Sequence, residues 1–301
     1  MNSKKHKIYF EIFFILSLGI VSSFSLPPYN YWFINFFTFS VFFIFLFLNK
    51  DKNLKNFFFY GYFFGFGYFL SNLYWIPFSL SFDETFKYLI PIAIVIIPAF
   101  LSFFYAFALV MYKLLFNYKS VFANILIFSL TLSFFEYLRG NLLSGFPWNL
   151  IAYSFVKNLN FLQINSLIGI YSFNMILITI FSTPAILYLN RNKNNLFGIC
   201  LIIIASFCIY IYGALNIKNF NNKEPQDLSV NLKVLSTNIP IERFYSNFDD
   251  EEILIELINL SNPNLNENTI FIWPEGAIPN INLRSLNEEY RYLFENSFSD
   301  N

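Results

Sequence analysis

Asn195-Leu-Phe-Gly-Ile-Cys-Leu-Ile-Ile-Ile-Ala-Ser-Phe-Cys-Ile-Tyr-Ile-Tyr-Gly213 carries no charged side chain, whereas Asn216 to Asp227 holds Lys218, Lys223, Glu224 and Pro225. A helix that crosses a bilayer needs about 20 mostly apolar residues. The first stretch therefore reads as a membrane span and the second as a linker. This junction divides the 301-residue chain into a membrane domain at 1–213, a linker at 214–227 and a different kind of domain at 228–301.

Toward the N-terminus the same apolar texture recurs. Hydrophobic residues make up 56% of the chain, aromatic residues 23% and charged residues 13%, against about 25% charged in soluble domains. The apolar blocks at about 8–25, 31–48, 57–76, 88–112, 120–138, 163–189 and 195–213 predict about seven spanning helices. Ten Phe, Leu or Ile residues at a helix centre supply roughly −3 to −6 kcal/mol toward insertion. The first block has no small-residue cleavage site and further spans follow, so it is not read as a signal peptide. Alternate loops differ in basic charge. One side carries Lys4, Lys5, Lys7, Lys50, Lys52, Lys55, Lys113, Lys119, Arg191 and Lys193; the other carries Lys87, Arg139 and Lys157. Basic loops stay in the cytoplasm. The N-terminus is expected there, and seven spans put residues after Gly213 outside.

Beyond the linker, Val230, Leu232 and Val234 alternate with polar neighbours and predict a strand. Asp249 and Glu252 have capping-box spacing ahead of Ile253, Leu254, Leu257 and Ile258, which predicts a helix. Thr269-Ile-Phe-Ile-Trp273 is a second strand, stopped by Pro274. Ser285 and Glu288 repeat the capping-box spacing before Leu286, Tyr290, Leu293 and Phe294. Strand, helix, strand, helix implies a parallel α/β sheet. Such sheets are covered on both faces, and two strands make only the beginning of one, so 228–301 is expected to be an incomplete domain.

Several exclusions follow from composition. Net charge is zero, so no basic field invites nucleic acid. Cys200 and Cys208 fall in one apolar block and read as small buried residues, not as a disulfide framework. His6 is the one histidine and cannot anchor a metal site by itself. No metal or organic cofactor is expected. Gly61, Gly65 and Gly67 read as small-residue packing between helices.

Two places could carry chemistry. Glu275 directly follows a strand in Phe271-Ile-Trp-Pro-Glu-Gly-Ala-Ile-Pro279, and active sites of open α/β sheets gather at the carboxyl ends of strands. A carboxylate there can serve as a general base if burial raises its pKa; an exposed loop glutamate is the plain alternative. The second place is Glu136-Tyr-Leu-Arg-Gly-Asn-Leu-Leu-Ser-Gly-Phe-Pro-Trp-Asn149. Glu136 and Arg139 can pair on one helical face, whether for function or to fix a helix end. Gly145, Pro147 and Trp148 predict a tight turn with an interfacial aromatic.

These segments, in this order, resemble the apolipoprotein N-acyltransferase family. Leu26-Pro-Pro-Tyr-Asn-Tyr-Trp32 looks like its first loop and Gly65-Phe-Gly-Tyr-Phe-Leu-Ser-Asn-Leu-Tyr-Trp75 like its third span. Glu136-Tyr-Leu-Arg-Gly140 with Ser144-Gly-Phe-Pro-Trp-Asn-Leu150 is a family hallmark. Asn238-Ile-Pro240 and Trp273-Pro-Glu-Gly-Ala-Ile-Pro279 match the start of its nitrilase-like domain. The resemblance implies a polytopic helical membrane domain followed by the start of a nitrilase-like αββα sandwich. It implies transfer of a fatty acyl chain from a membrane phospholipid to the N-terminal amine of a diacylglyceryl-cysteine lipoprotein, through a cysteine thioester. The setting is the bacterial inner membrane, with the nitrilase-like domain periplasmic. Glu275 matches the general base; Gly145, Pro147 and Trp148 match a motif near the lipid entrance. Tyr245 falls where some members carry a tryptophan in a substrate-facing loop.

The resemblance also calls for a cysteine nucleophile and an oxyanion lysine. No cysteine follows Cys208, and Lys233 is the one lysine after residue 228. The chain is therefore expected to be a fragment without turnover of its own. Two other readings stay open: a membrane-fused nitrilase-type acyltransferase that uses another amine, and a transporter or membrane scaffold with a small outer tail.

Overall fold

The computed structural model describes residues 2–143, 145–223, 230–236, 250–264, 267–278 and 281–298, with side chains from Ile8 onward. The chain separates into two compact units, Met1–Lys223 and Glu224–Asn301.

The first unit is helical: α1 (Asn2–Ser23), α2 (Ile34–Leu48), α3 (Leu54–Leu73), α4 (Ile90–Leu114), α5 (Val121–Asn141), the short α6 (Leu159–Leu162), α7 (Asn165–Ser182), α8 (Ala185–Leu189) and α9 (Lys193–Asn221). Each predicted span contains a helix. Four stretches are long and apolar enough to cross a membrane: Lys87–Leu114, Val121–Asn141, Asn165–Leu189 and Lys193–Asn221. Ile8–Ser23 and Ile34–Leu48 are shorter apolar helices. α3 is 20 residues long, but Lys55, Asn56, Tyr60, Tyr62 and Asn72 dilute its hydropathy. The sixth predicted span is kinked inside α7 at Gly169, whose φ of +73° is not helical, while Pro184 between α7 and α8 keeps helical angles. The seventh continues past Gly213 to Asn221.

Side-chain caps start three of these helices. Asn53 accepts from the Asn56 amide at 3.1 Å, Ser120 from Ala123 at 3.1 Å, and Asn192 from Asn195 at 2.8 Å. Each satisfies one backbone donor that a helix start leaves unpaired. Inside α4, Pro98 supplies no amide to the helical ladder.

The core is aromatic. Phe42 stacks on Phe64 with ring centroids 4.2 Å apart, and Phe39, Phe43, Phe128 and Phe181 are fully buried around them. Two glycines set the spacing of α3 against its neighbours, as small residues do between membrane helices. A Cβ on Gly61 would lie 2.2 Å from the Tyr105 carbonyl oxygen of α4, and one on Gly67 would lie 2.3 Å from the Leu16 carbonyl oxygen of α1. α9 packs on a narrow strip of Asn195, Gly198, Ile209 and Gly213. Cys200 and Cys208 therefore face outward and are exposed free thiols, which corrects their reading as buried residues.

In the second unit, β1 (Asn231–Val234) pairs in parallel with β2 (Thr269–Ile272), from Asn231 opposite Thr269 to Val234 opposite Ile272. α10 (Asp250–Ser261) lies between them in sequence. Ile253 and Leu257 pack with Ala277, Trp273 and Ile278, and the Trp273 indole donates to Ser261 Oγ at 2.9 Å. The predicted strand–helix–strand order is present. The alternating residues Leu232 and Val234 share a face as expected, yet that face is open, together with Ile270 and Ile272. The last predicted helix starts earlier than Ser285. Asn282 caps α11 (Leu283–Glu289) by accepting from the Arg284 and Ser285 amides at 2.9 Å, and α12 (Arg291–Phe298) follows. The Asn282 side-chain oxygen takes the first free amides of the helix, and Ser285 therefore lies inside the first turn. Asp249, half of the other predicted capping box, lies outside the described residues.

Gly61→Ala puts a methyl group where the α4 backbone stands. It should cost about 1–3 kcal/mol, read as a lower unfolding midpoint of the purified protein. An unchanged midpoint would mean that α3 and α4 separate freely.

Candidate functional site

α5 ends on Glu136 and Arg139, one helical turn apart. Both were expected to pair, and both prove to be inside the protein, with side-chain exposures of 1% and 0%. Arg139 Nε donates to Glu136 Oε2 at 2.7 Å, and Nη2 donates to the same oxygen. Tyr105 of α4 donates its hydroxyl to Glu136 Oε1 at 2.6 Å. The arginine's Nη1 donates to the Phe146 carbonyl oxygen at 2.6 Å, while the Phe146 amide donates to the Arg139 carbonyl oxygen at 2.9 Å. The guanidinium also lies over the ring of Phe69, 5.1 Å from its centroid, and over Phe146 at 5.8 Å.

This arrangement follows from what a buried charge requires. An ion removed from water is tolerated when it is paired and its remaining hydrogen-bonding atoms find partners. Carboxylate, phenol, one backbone carbonyl and two ring faces meet that requirement. Arg139 is consequently a structural cation and contributes nothing to the exposed basic charge of its loop. Among the described residues of that side, Lys87 pairs with Glu84 at 3.5 Å.

The ion pair fixes the segment that follows. Leu142 accepts from the Gly145 amide at 2.9 Å, and Gly145 takes φ +72°, a conformation that L side chains rarely adopt. A Cβ there would also lie 2.7 Å from the Gly140 carbonyl oxygen. Tyr68 of α3 donates to the Asn149 carbonyl oxygen at 2.9 Å, and Tyr153 donates to that of Pro147 at 3.2 Å. Asn174 of α7 accepts from the Ala152 amide at 2.9 Å. The segment with Gly145, Pro147 and Trp148 is extended rather than a tight turn at 145–148, and it is held from α3, α5 and α7. It presents Trp148, half exposed, against an equally exposed Trp75, with ring centroids 5.8 Å apart and planes 15° from parallel.

Tyr68, Tyr105, Phe69 and Trp75 complete this site without having been singled out as its members. Trp75 stands at the end of the segment that resembled the family's third span. Tyr105 sits in a run of Phe and Leu with nothing to mark it.

In the second unit, Glu275 occupies the turn at the carboxyl end of β2, closed by the Ala277 amide donating to Pro274 at 3.2 Å. Gly276 has φ +71°. Glu275 is exposed, so the burial expected around it is absent. The turn walls a cavity of about 300 Å³ lined by Trp273, Pro274, Gly276, Ala277 and Leu286. Tyr245, Asn238 and Pro240 lie outside the described residues. No cluster of metal-ligating side chains occurs among the described residues.

Four apolar helices of spanning length and a buried ion pair that fixes a loop define a helical membrane protein. Comparison with known proteins gives the family. The model of the apolipoprotein N-acyltransferase N-terminal domain matches residues 18–183, and the chain belongs to that family. It is 33% identical over 287 residues to the apolipoprotein N-acyltransferase of Rickettsia prowazekii, covering 90% of this chain and 54% of that one. The corresponding protein of Rhodopseudomonas palustris is 30% identical over 282 residues, covering 88% and 51%. That of Brucella melitensis is 30% identical over 226 residues, covering 73% and 42%. The chain thus spans about half the length of the curated relatives it matches.

Breaking the ion pair from one side leaves a lone charge inside the protein. Glu136→Gln and Arg139→Met should each cost about 3–5 kcal/mol of stability, while the double variant should cost clearly less than their sum. Unfolding midpoints of the four proteins measure this; strictly additive losses would show that the two residues do not act as a unit.

Proposed function

We propose that the chain is the membrane domain and the opening of the nitrilase-like domain of an apolipoprotein N-acyltransferase. The observation that carries this reading is the position of Glu275 at the carboxyl end of a parallel strand, in a chain of this family. The acyl donor is a membrane phospholipid and the acceptor is the N-terminal amine of a diacylglyceryl-cysteine lipoprotein. The membrane is the bacterial inner membrane, with residues 1–7 cytoplasmic and the nitrilase-like domain on the periplasmic side. The basic residues of the loops support that orientation.

The chemistry divides into two acyl transfers. A cysteine thiol gives its proton to Glu275 as its sulfur attacks the ester carbonyl of the phospholipid. The ester C–O bond breaks, the proton passes to the departing lysophospholipid oxygen, and a thioester remains. The lipoprotein amine then attacks the thioester carbonyl, Glu275 takes its proton, and the thiol is regenerated as the amide forms. General base catalysis of this type contributes about 10²–10⁴-fold. Residues 1–301 offer neither the thiol nor the oxyanion lysine: Cys200 and Cys208 lie on the membrane helix α9, and Lys233 donates to the Ser261 carbonyl oxygen. Glu275 would become buried only when further protein or substrate covers the open turn.

Trp148 and Trp75 form the aromatic platform at the end of the membrane unit where the phospholipid enters. Aromatic rings at the interface take one apolar and one wet neighbour, which suits the junction between a lipid headgroup and its chains.

A gene that joins residues 1–301 to the remaining C-terminal part of the Rickettsia prowazekii relative, of which this chain covers 54%, should restore N-acylated lipoproteins, detected by mass, in bacteria depleted of their own N-acyltransferase. Glu275→Gln in that gene should lower the rate by about 10²–10⁴-fold. Lipoproteins that stay diacylated with the unaltered gene would contradict the reading. Trp148→Ala, an exposed change, should alter stability by no more than about 0.5 kcal/mol and yet lower turnover at limiting phospholipid. Unchanged turnover would make the platform an anchor alone.

A further inference from the structure

A cleft of about 420 Å³ runs between α2, α7–α8 and α9, with Phe155 from the segment after the Trp148 loop in its wall. Trp32, Phe155, Ile180, Leu187 and Ile203 form its walls. Its two hydroxyls are already used within their own helices: Thr183 donates to Thr179 at 2.7 Å and Ser206 donates to Ile202 at 2.8 Å. The cleft therefore offers mainly hydrocarbon surface, with the Trp32 indole the remaining polar group of its lining. α9, which forms one wall, carries strongly exposed Ile203, Ile204 and Phe207. In a bilayer such faces meet acyl chains.

One end of the cleft is not neutral. A second hollow of about 500 Å³ shares Pro184 and Leu187 with it and is bounded by Tyr188, Asn190 and Arg191. Arg191 Nε donates to the Leu187 carbonyl oxygen at 2.6 Å, one of the carbonyls that the end of α8 leaves unpaired. That bond pins the guanidinium beside Leu187, the residue common to both hollows, with no Nη bond to protein among the described residues. Arg191 and the nearby Lys193 are exposed, and neither is in an ion pair there. A guanidinium with its two outer nitrogens unoccupied matches the paired oxygens of a phosphate.

We propose that this cleft holds an acyl chain of an anionic phospholipid whose phosphate is bound by Arg191. The lipid belongs to the leaflet on the Arg191 side of the membrane, and it is a resident ligand, separate from the acyl donor. The site stands whether or not the reaction above is the right one. Apolar walls select a lipid chain, and the charged mouth selects an anionic headgroup over a zwitterionic one. A basic side chain near a membrane surface favours anionic lipid by about fivefold per charge. The lipid would tie α8 to α9 where they share few direct contacts of their own.

A photoreactive benzoylphenylalanine at Ile203 tests this in vesicles of equal parts phosphatidylglycerol and phosphatidylethanolamine. The protein is the 301-residue chain, and adducts are weighed by mass spectrometry. The expected result is lipid adducts, with phosphatidylglycerol ahead by about fivefold and falling to parity in Arg191→Ala. Equal adducts without the arginine change would overturn the headgroup assignment. Cross-links to polypeptide, whether this chain or another, would overturn the lipid as the occupant.

Discussion

An arginine buried to the last atom is the constraint around which the membrane unit is arranged. In hydrocarbon there is no water to satisfy a stray polar group, so Arg139 must find every partner within the protein. It finds Glu136 on its own helix, the Phe146 carbonyl on the following loop, and the faces of Phe69 and Phe146. Glu136 in turn takes the Tyr105 hydroxyl from α4. One charge pair thus couples α3, α4, α5 and a loop. The arrangement of that loop is a consequence of satisfying the arginine.

The same logic explains why the loop is ordered although three of its described residues have positive φ. Leu143, Gly145 and Asn149 sit at φ +58°, +72° and +59°, and backbone groups around them are bonded to Arg139, Leu142 and Tyr68. Strained turns persist where their surroundings over-determine them. The consequence is a tryptophan pair, Trp75 and Trp148, presented outward on a rigid base. A binding platform gains from such rigidity because less ordering remains to be done when a ligand arrives.

The helices were legible because apolar length alone specifies them, and the strand–helix–strand order of the second unit because its periodicity changes at the junction. The pairing of Glu136 with Arg139 was legible from their spacing. Its burial was not, because that depends on Tyr105 and Phe69, which arrive from other helices and look like ordinary members of aromatic runs. Cys200 and Cys208 misled for a related reason: an apolar residue in a membrane helix can face protein or lipid, and only the partners of α9 decide. The start of α11 was displaced because Asn282 caps more directly than Ser285. Tyr245 lies outside the described residues, and Glu275 stands exposed at a strand end, where its surroundings and not its position set its chemistry.

Hydrogen exchange over residues 142–150 in bilayer-embedded protein tests the central claim, that the buried ion pair holds the Trp148 loop. The account predicts that the Gly145 and Phe146 amides are protected like those of α5, and that Arg139→Met releases this segment while α1 and α2 keep their protection. A loop that exchanges freely in the unaltered protein, or that stays protected without Arg139, would contradict it.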